Sequence, residues 1–234
     1  MWSISNVKEQ AKRVLNGTYW SAFLVCLLVA IVNGNYSNTF RYTYEHKDYY
    51  LTNSNYIKIA VGLLVIMVIR ILIGYILDVG SRRYLLDLCK GHNNIGTIGY
   101  GFCKSRYTNI VKTMLYKNIL LFLWSLLLII PGIIMSYAYR FVPYLLADNP
   151  NMKPSRALEL SMDMTDGHKW NLFVFDLTFL GWYILGSIAF GIGIFFVFPY
   201  QETALTEVYN QLKLTAITDK LTCYKELSEP EEVV

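Results

Sequence analysis

The polar and apolar positions alternate between two regimes along the chain. Short amphipathic stretches with helical spacing, such as "SISNVKEQAKRVLNG" at the start and "SRALELSMDMTDGHKW" at 155–170, each lead into a long apolar run. Such runs occupy 19–33, 57–77, 114–148 and 170–212. A helix needs about 20 mostly apolar residues to cross a bilayer, so the last two runs are each long enough for two crossings. Pro131-Gly132 divides the third run, because a proline suits the first turn of a new helix. "FGIG" at 190–193 divides the fourth, with Gly191 and Gly193 at an outer turn and Gly181 and Gly186 permitting close helix approach. The pattern predicts an all-α, polytopic helical membrane protein with six transmembrane helices at 19–33, 57–77, 114–130, 131–148, 170–190 and 192–212. Residues 1–213 form a single integral membrane domain and 214–234 a cytoplasmic C-terminal tail. The alternative is five spans, with 114–148 as one kinked helix.

An internal repeat favours six. "LNGTYW" and "TDGHKW" share an [ND]-G-x-x-W form in which Gly17 and Gly167 end a surface helix, and Trp20 and Trp170 mark the interface where a span begins. Both starts fall on one side if an even number of crossings separates them, and six spans place four there. "GFCKSRYTNIVKTM", which lacks the Trp, reads as a weaker middle copy. The architecture expected is three helical hairpins, each preceded by a cytoplasmic interfacial helix.

Composition agrees with this pattern, since 54% of the 234 residues are apolar and only 16% are charged, against about a quarter in soluble domains. The excess of positive charge follows topology rather than a nucleic-acid partner. With a cytoplasmic N-terminus, three of the 21 Lys and Arg fall in 1–18, seven in 78–117, three in 149–169 and three in 213–234, against three in the outer segment 34–58. N- and C-terminus are thus both expected in the cytoplasm. The outer loop carries six tyrosines in 34–56 and reads as a cap on lipid headgroups. Cys26, Cys89, Cys103 and Cys223 form no C-x-x-C pair, and Cys89 with His92 lacks a second pair of metal ligands. "GTIGYGF" at 96–102 lacks the G-x-G-x-x-G order, and no nucleotide or metalloprotease motif occurs. No cofactor, metal or catalytic residue is therefore expected.

Four charges lie inside the predicted spans: Arg70, Arg140, Asp176 and Glu202. Arg70 stands eight residues before Asp78, Arg140 eight before Asp148, Asp176 seven after Lys169 and Glu202 eleven before Lys213. At about 1.5 Å per residue their depths are roughly 10 to 17 Å, so the four can share one neutral layer. An unpaired charge at such depth is costly, which predicts pairing of Arg140 with Glu202 or Asp176, while Arg70 has the alternative of reaching the headgroups. Tyr137, Tyr139, Tyr144, Gln201 and Thr203 add polar groups near that level. Pro143 and Pro199 are expected to kink their helices.

The stretch "LLIIPGIIMSYAYRFVPYLLADNPNMKPSRALELSMDMTDGHKWNLFVFDLTFLGWYILG", with the later "FPYQETALTEVY", resembles the domain-of-unknown-function 975 family of bacterial integral membrane proteins. The residues that carry the likeness include Pro131, Gly132, Tyr139, Pro143, Asp148, Asn149, Pro150, Ala157, Ser161, Gly167, Pro199 and Tyr200. The P-G turn followed by A-x-x-x-S and a Gly is also similar to the membrane domain of some glycerophosphodiester phosphodiesterases, whose catalytic domain is missing from this sequence. The resemblance implies a multi-pass protein of the plasma membrane and supplies no activity. The function expected is a small transporter or channel-like module without enzymatic activity. The alternative is a non-transporting accessory, immunity, envelope-stress or scaffold protein. Partners expected are membrane lipid and a second copy or another membrane protein.

Overall fold

A computed structural model describes residues 2–33, 53–188 and 193–227, and among them every regular element is a helix. The tyrosine-rich loop lies outside the described residues, as do the Arg70 side chain and Gly191.

Helix α1 (Ile4–Leu15) buries Val7, Ala11 and Leu15, one per turn, and turns Lys12 and Arg13 to solvent. It ends where Asn16 becomes extended and Gly17 takes φ +84°, a left-handed conformation that costs glycine little. The chain then bends by 104° into α2 (Tyr19–Asn33), measured over its part to Ala30. The same elbow recurs 150 positions later. Helix α7 (Pro154–Thr165) buries Ala157, Ser161 and Thr165; Asp166 is extended, Gly167 has φ +70°, and α8 (Lys169–Ile188) follows. The hydrogen bonds correspond one to one: Asn16 N–H to Arg13 O matches Asp166 N–H to Asp163 O, and Thr18 N–H to Leu15 O matches His168 N–H to Thr165 O. Trp20 and Trp170 are both exposed, at 67% and 71%. The middle copy expected from sequence does not repeat this. Residues 104–127 form one uninterrupted helix, α4 (Lys104–Leu127), because no glycine stands where the elbow would need a left-handed residue.

Helix α3 (Asn53–Cys89) extends twelve residues beyond the predicted apolar span ending at 77, and a 3-10 segment, Ile95–Phe102, folds back along it. That approach needs Gly80, where a Cβ would lie 2.1 Å from the Ile98 carbonyl oxygen. Residues 114–148 do not form one kinked helix. The chain reverses at the extended Leu128, and Gly132 of α5 (Ile129–Ala138) packs on Ser125 of α4. Pro131 stands in the first turn of α5 as expected, with the reversal three residues before it. The span predicted at 131–148 falls within the stretch Ile129–Asp148, whose helix is interrupted partway. Helix α5 stops at Ala138, and α6 (Val142–Asp148) starts after Tyr139, Arg140 and Phe141. Pro143 explains the break: it cannot donate to the Tyr139 carbonyl, and its ring would clash there. The carbonyl of Ala138, deprived of its helical partner, accepts from Ser161 Oγ at 2.7 Å and Thr165 Oγ1 at 3.5 Å.

Helix α9 (Gly193–Thr218) contains Pro199 without interruption and packs against α1, α2, α3, α7 and α8. The boundary expected at 213 falls inside it. Gly186 and Gly193 let α8 and α9 meet backbone to backbone, since a Cβ on Gly193 would stand 2.6 Å from Gly186 Cα. Phe141, Tyr144 and Tyr209 fill the centre, with Tyr144 and Tyr209 stacked at 5.1 Å. A short helix, α10 (Tyr224–Leu227), closes the described chain, and its Leu227 is buried.

Among the described residues two stretches, Arg106–Leu127 and Ile129–Asp148, are long and apolar enough to cross a membrane, or three if the bent α1–α2 pair counts as one span. Phe122, Leu126, Leu127, Ile129 and Ile130 around the α4–α5 reversal are among the most exposed apolar side chains.

Gly80→Ala is expected to lower stability by about 1–3 kcal/mol, the range for overpacking a close contact, in detergent unfolding. Gly99→Ala, at a position with no atom within 4 Å of the added Cβ, is the control and should leave the transition unmoved.

Candidate functional site

The helix break puts Arg140 beside Asp176 of α8. Its guanidinium grips the carboxylate with both arms, Nη1 to Oδ2 at 2.5 Å and Nη2 to Oδ1 at 2.8 Å. Tyr137 Oη donates to Oδ2 at 3.1 Å and Gln201 Nε2 to Oδ1 at 3.2 Å, while Tyr183 Oη donates to Gln201 Oε1. The Arg140 and Asp176 side chains are 19% and 28% exposed, so the pair is partly shielded from solvent and fully engaged. Of the two partners open to Arg140 from sequence, the structure takes Asp176.

Glu202 follows Gln201 directly, yet it serves a different cluster, because one residue turns the side chain by about 100° around a helix. It forms an ion pair with Arg82 of α3. Arg82 also reaches Asp78 Oδ1 at 3.3 Å, donates to Tyr144 Oη at 3.2 Å and lies 5.0 Å from the Tyr144 ring centre. Its Nε is buried without an acceptor among the described residues. Beside this cluster, α2, α3 and the start of α9 line a half-open cavity of about 320 Å³. Val29, Ala30, Ile194, Phe195 and Phe198 form its walls, and Asp78 and Arg82 its charged end.

A third pair follows along α9. Asp148 at the end of α6 is buried and accepts from Tyr209 Oη at 2.7 Å and Lys213 Nζ at 2.5 Å. The residues after it tie neighbouring elements together. Asn109 of α4 donates to the carbonyls of Pro150 and Met152, and Asn149 donates to the Glu226 carbonyl at 2.8 Å. Tyr200 Oη donates to the Lys8 carbonyl at 3.3 Å, and the Pro199 carbonyl accepts from Thr203. Among the described residues no three His, Cys, Asp or Glu side chains converge as metal ligands.

Sequence reasoning missed Asp78 and Arg82, since the apolar run stops at Leu77 and the charges beyond it counted toward the cytoplasmic segment 78–117. Their i, i+4 spacing was the available signal. It also missed the contact that fixes α10. Arg156 Nε donates to Glu226 Oε1 at 2.7 Å, and Thr222 Oγ1 to Oε2 at 2.8 Å. The Arg156 hydrogen bonds hold the Glu226 carboxyl below its ordinary value of 4.5, against the opposing effect of burial.

Removing Arg140 leaves Asp176 shielded and unpaired. Arg140→Ala is expected to cost about 2–3 kcal/mol, below the 3–5 of a fully buried pair because both side chains retain some exposure. A double-mutant cycle in detergent unfolding should give coupling with Asp176→Ala and additivity with Glu202→Ala. For Glu226, a depressed folded value means that docking stabilises the fold above about 4.5 and is lost as pH falls through the lower folded value. Hydrogen exchange across 219–227 should therefore stay protected at pH 5 and rise on further acidification, and Glu226→Gln should remove that dependence.

Comparison with known proteins adds a family match and nothing on activity. Neither a curated protein nor a solved structure matches the chain. The likeness to the membrane domain of glycerophosphodiester phosphodiesterases therefore gains no support. Residues 104–216, from the start of α4 almost to the end of α9, match the family described as protein of unknown function (DUF975), which supports assigning the chain to that family.

Proposed function

We propose that this chain is a six-span protein of the bacterial cytoplasmic membrane with both termini inside, acting as a small transport-type module and not as an enzyme. The observation that carries this reading is the cavity between α2, α3 and α9, with its apolar walls and its charged end at Asp78 and Arg82. The buried Arg82 Nε–H, without an acceptor among the described residues, suits a mostly apolar solute bearing an oxygen. Several features support placement in a bilayer: the exposed apolar reversal of α4 and α5, the two elbows with exposed Trp20 and Trp170, and the internally satisfied break at Ala138. Non-helical backbone at depth is tolerated where protein covers it, and Tyr139 and Phe141 are both buried.

The second reading, a non-transporting accessory or scaffold protein, is favoured by the direct clasp of Arg140 on Asp176. All four contacts to that carboxylate come from the chain itself, which leaves a solute little to bind there.

The readings separate by thiol labelling in proteoliposomes, on a background with the four native cysteines replaced by serine. Phe198→Cys, in the cavity wall, is expected to react with a small water-soluble thiol reagent; protection from both sides would remove the transport reading. Lys153→Cys should label only from the cytoplasmic side, and labelling only from outside would eliminate the six-span arrangement.

A further inference from the structure

The elbow between α1 and α2 forms an open surface groove of about 510 Å³ against α9, lined by Glu9, Lys12, Arg13, Asn16, Tyr19 and Tyr200, among others. We propose that this groove is a binding site for one anionic phospholipid, whose phosphate lies between Lys12 and Arg13 and whose acyl chain follows Phe23, Leu24 and Phe196. The inference rests on the membrane placement proposed above and is independent of transport.

The groove is polar at one end and apolar at the other. Lys12, Arg13 and Asn16 are exposed at its rim, and the one charge partner of Arg13 among the described residues is Glu9, in a solvent-exposed pair with side chains 75% and 62% accessible. An exposed i, i+4 pair of this kind is weak and yields readily to a phosphate. Lys8, one turn from Lys12, has its ammonium pKa lowered first by burial and then by the charge of Lys12. An anion at the rim relieves that repulsion. The walls are tied in place, since Tyr19 Oη donates to the Phe196 carbonyl at 2.8 Å and Tyr200 Oη to the Lys8 carbonyl. Beyond Tyr19 lie apolar side chains. Phe23 stacks on Phe196 at 5.3 Å, and Leu24 and Phe196 are exposed.

The repeated elbow serves as an internal control. At the positions equivalent to Lys12, Arg13 and Asn16, 150 residues later, stand Met162, Asp163 and Asp166. The same backbone therefore carries an acidic rim there, so the cationic groove belongs to the first elbow's side chains and not to the elbow geometry.

The test is native mass spectrometry of the full chain extracted from vesicles of equal phosphatidylglycerol and phosphatidylcholine. Wild type should retain phosphatidylglycerol preferentially, and the double variant K12Q/R13Q should lose that preference by about thirtyfold, the size expected for two cations at an anionic surface. The double variant K90Q/K112Q, which removes two exposed lysines elsewhere, should keep it. Equal retention of both lipids by wild type would overturn the inference, as would equal loss in both variants. Excess inorganic phosphate should not displace the lipid; displacement would assign the rim to soluble phosphate instead. Retention of neither lipid, with wild type washed from membranes by carbonate, would instead overturn the membrane placement.

Discussion

The break between α5 and α6 sets a demand that the surrounding structure meets. Where Pro143 stops a helix, one carbonyl loses its partner and one arginine is left in a largely shielded place. Ser161 and Thr165 of α7 answer the first and Asp176 of α8 the second. The α7–α8 elbow presents both answers, because it fixes the surface helix that carries the hydroxyls relative to the helix that carries the carboxylate. Helix α9 then closes the arrangement by contributing Gln201 to one cluster, Glu202 to the next and Lys213 to the third.

The fold was legible where the sequence encodes it locally. Two Gly elbows followed by Trp could be read directly, because a left-handed residue after an amphipathic helix has few substitutes. The Pro131 helix start could be read for the same kind of reason. Continuity at Lys104 and the length of α3 could not, since an amphipathic stretch joined to an apolar one without Gly or Pro has the same pattern whether it is one helix or two. The α5–α6 break was half legible. Pro143 announced a disturbance, and only packing decides between a kink and an interruption.

The charged residues divide in the same way. Their need for partners follows from burial, and so Arg140 with Asp176 was among the pairs expected. Which acid Arg140 would take depends on the rotational setting of α8 and α9, information that no local pattern carries. Arg82 escaped notice for a different reason. It lies past the end of an apolar run, where charge is ordinary, and becomes partly buried because the 3-10 segment and α6 pack beside that part of α3.

The adjacency of Gln201 and Glu202 has a consequence for how this chain can vary. Two neighbouring residues feed separate clusters only while α9 keeps its phase, so a one-residue insertion or deletion between Pro199 and Gln201 would present the wrong group to both at once. The reversal around Leu128 has no such bookkeeping, since its side chains are interchangeable apolar surface. Length changes among relatives should therefore accumulate at the tip of the α4–α5 hairpin and be purged from the middle of α9.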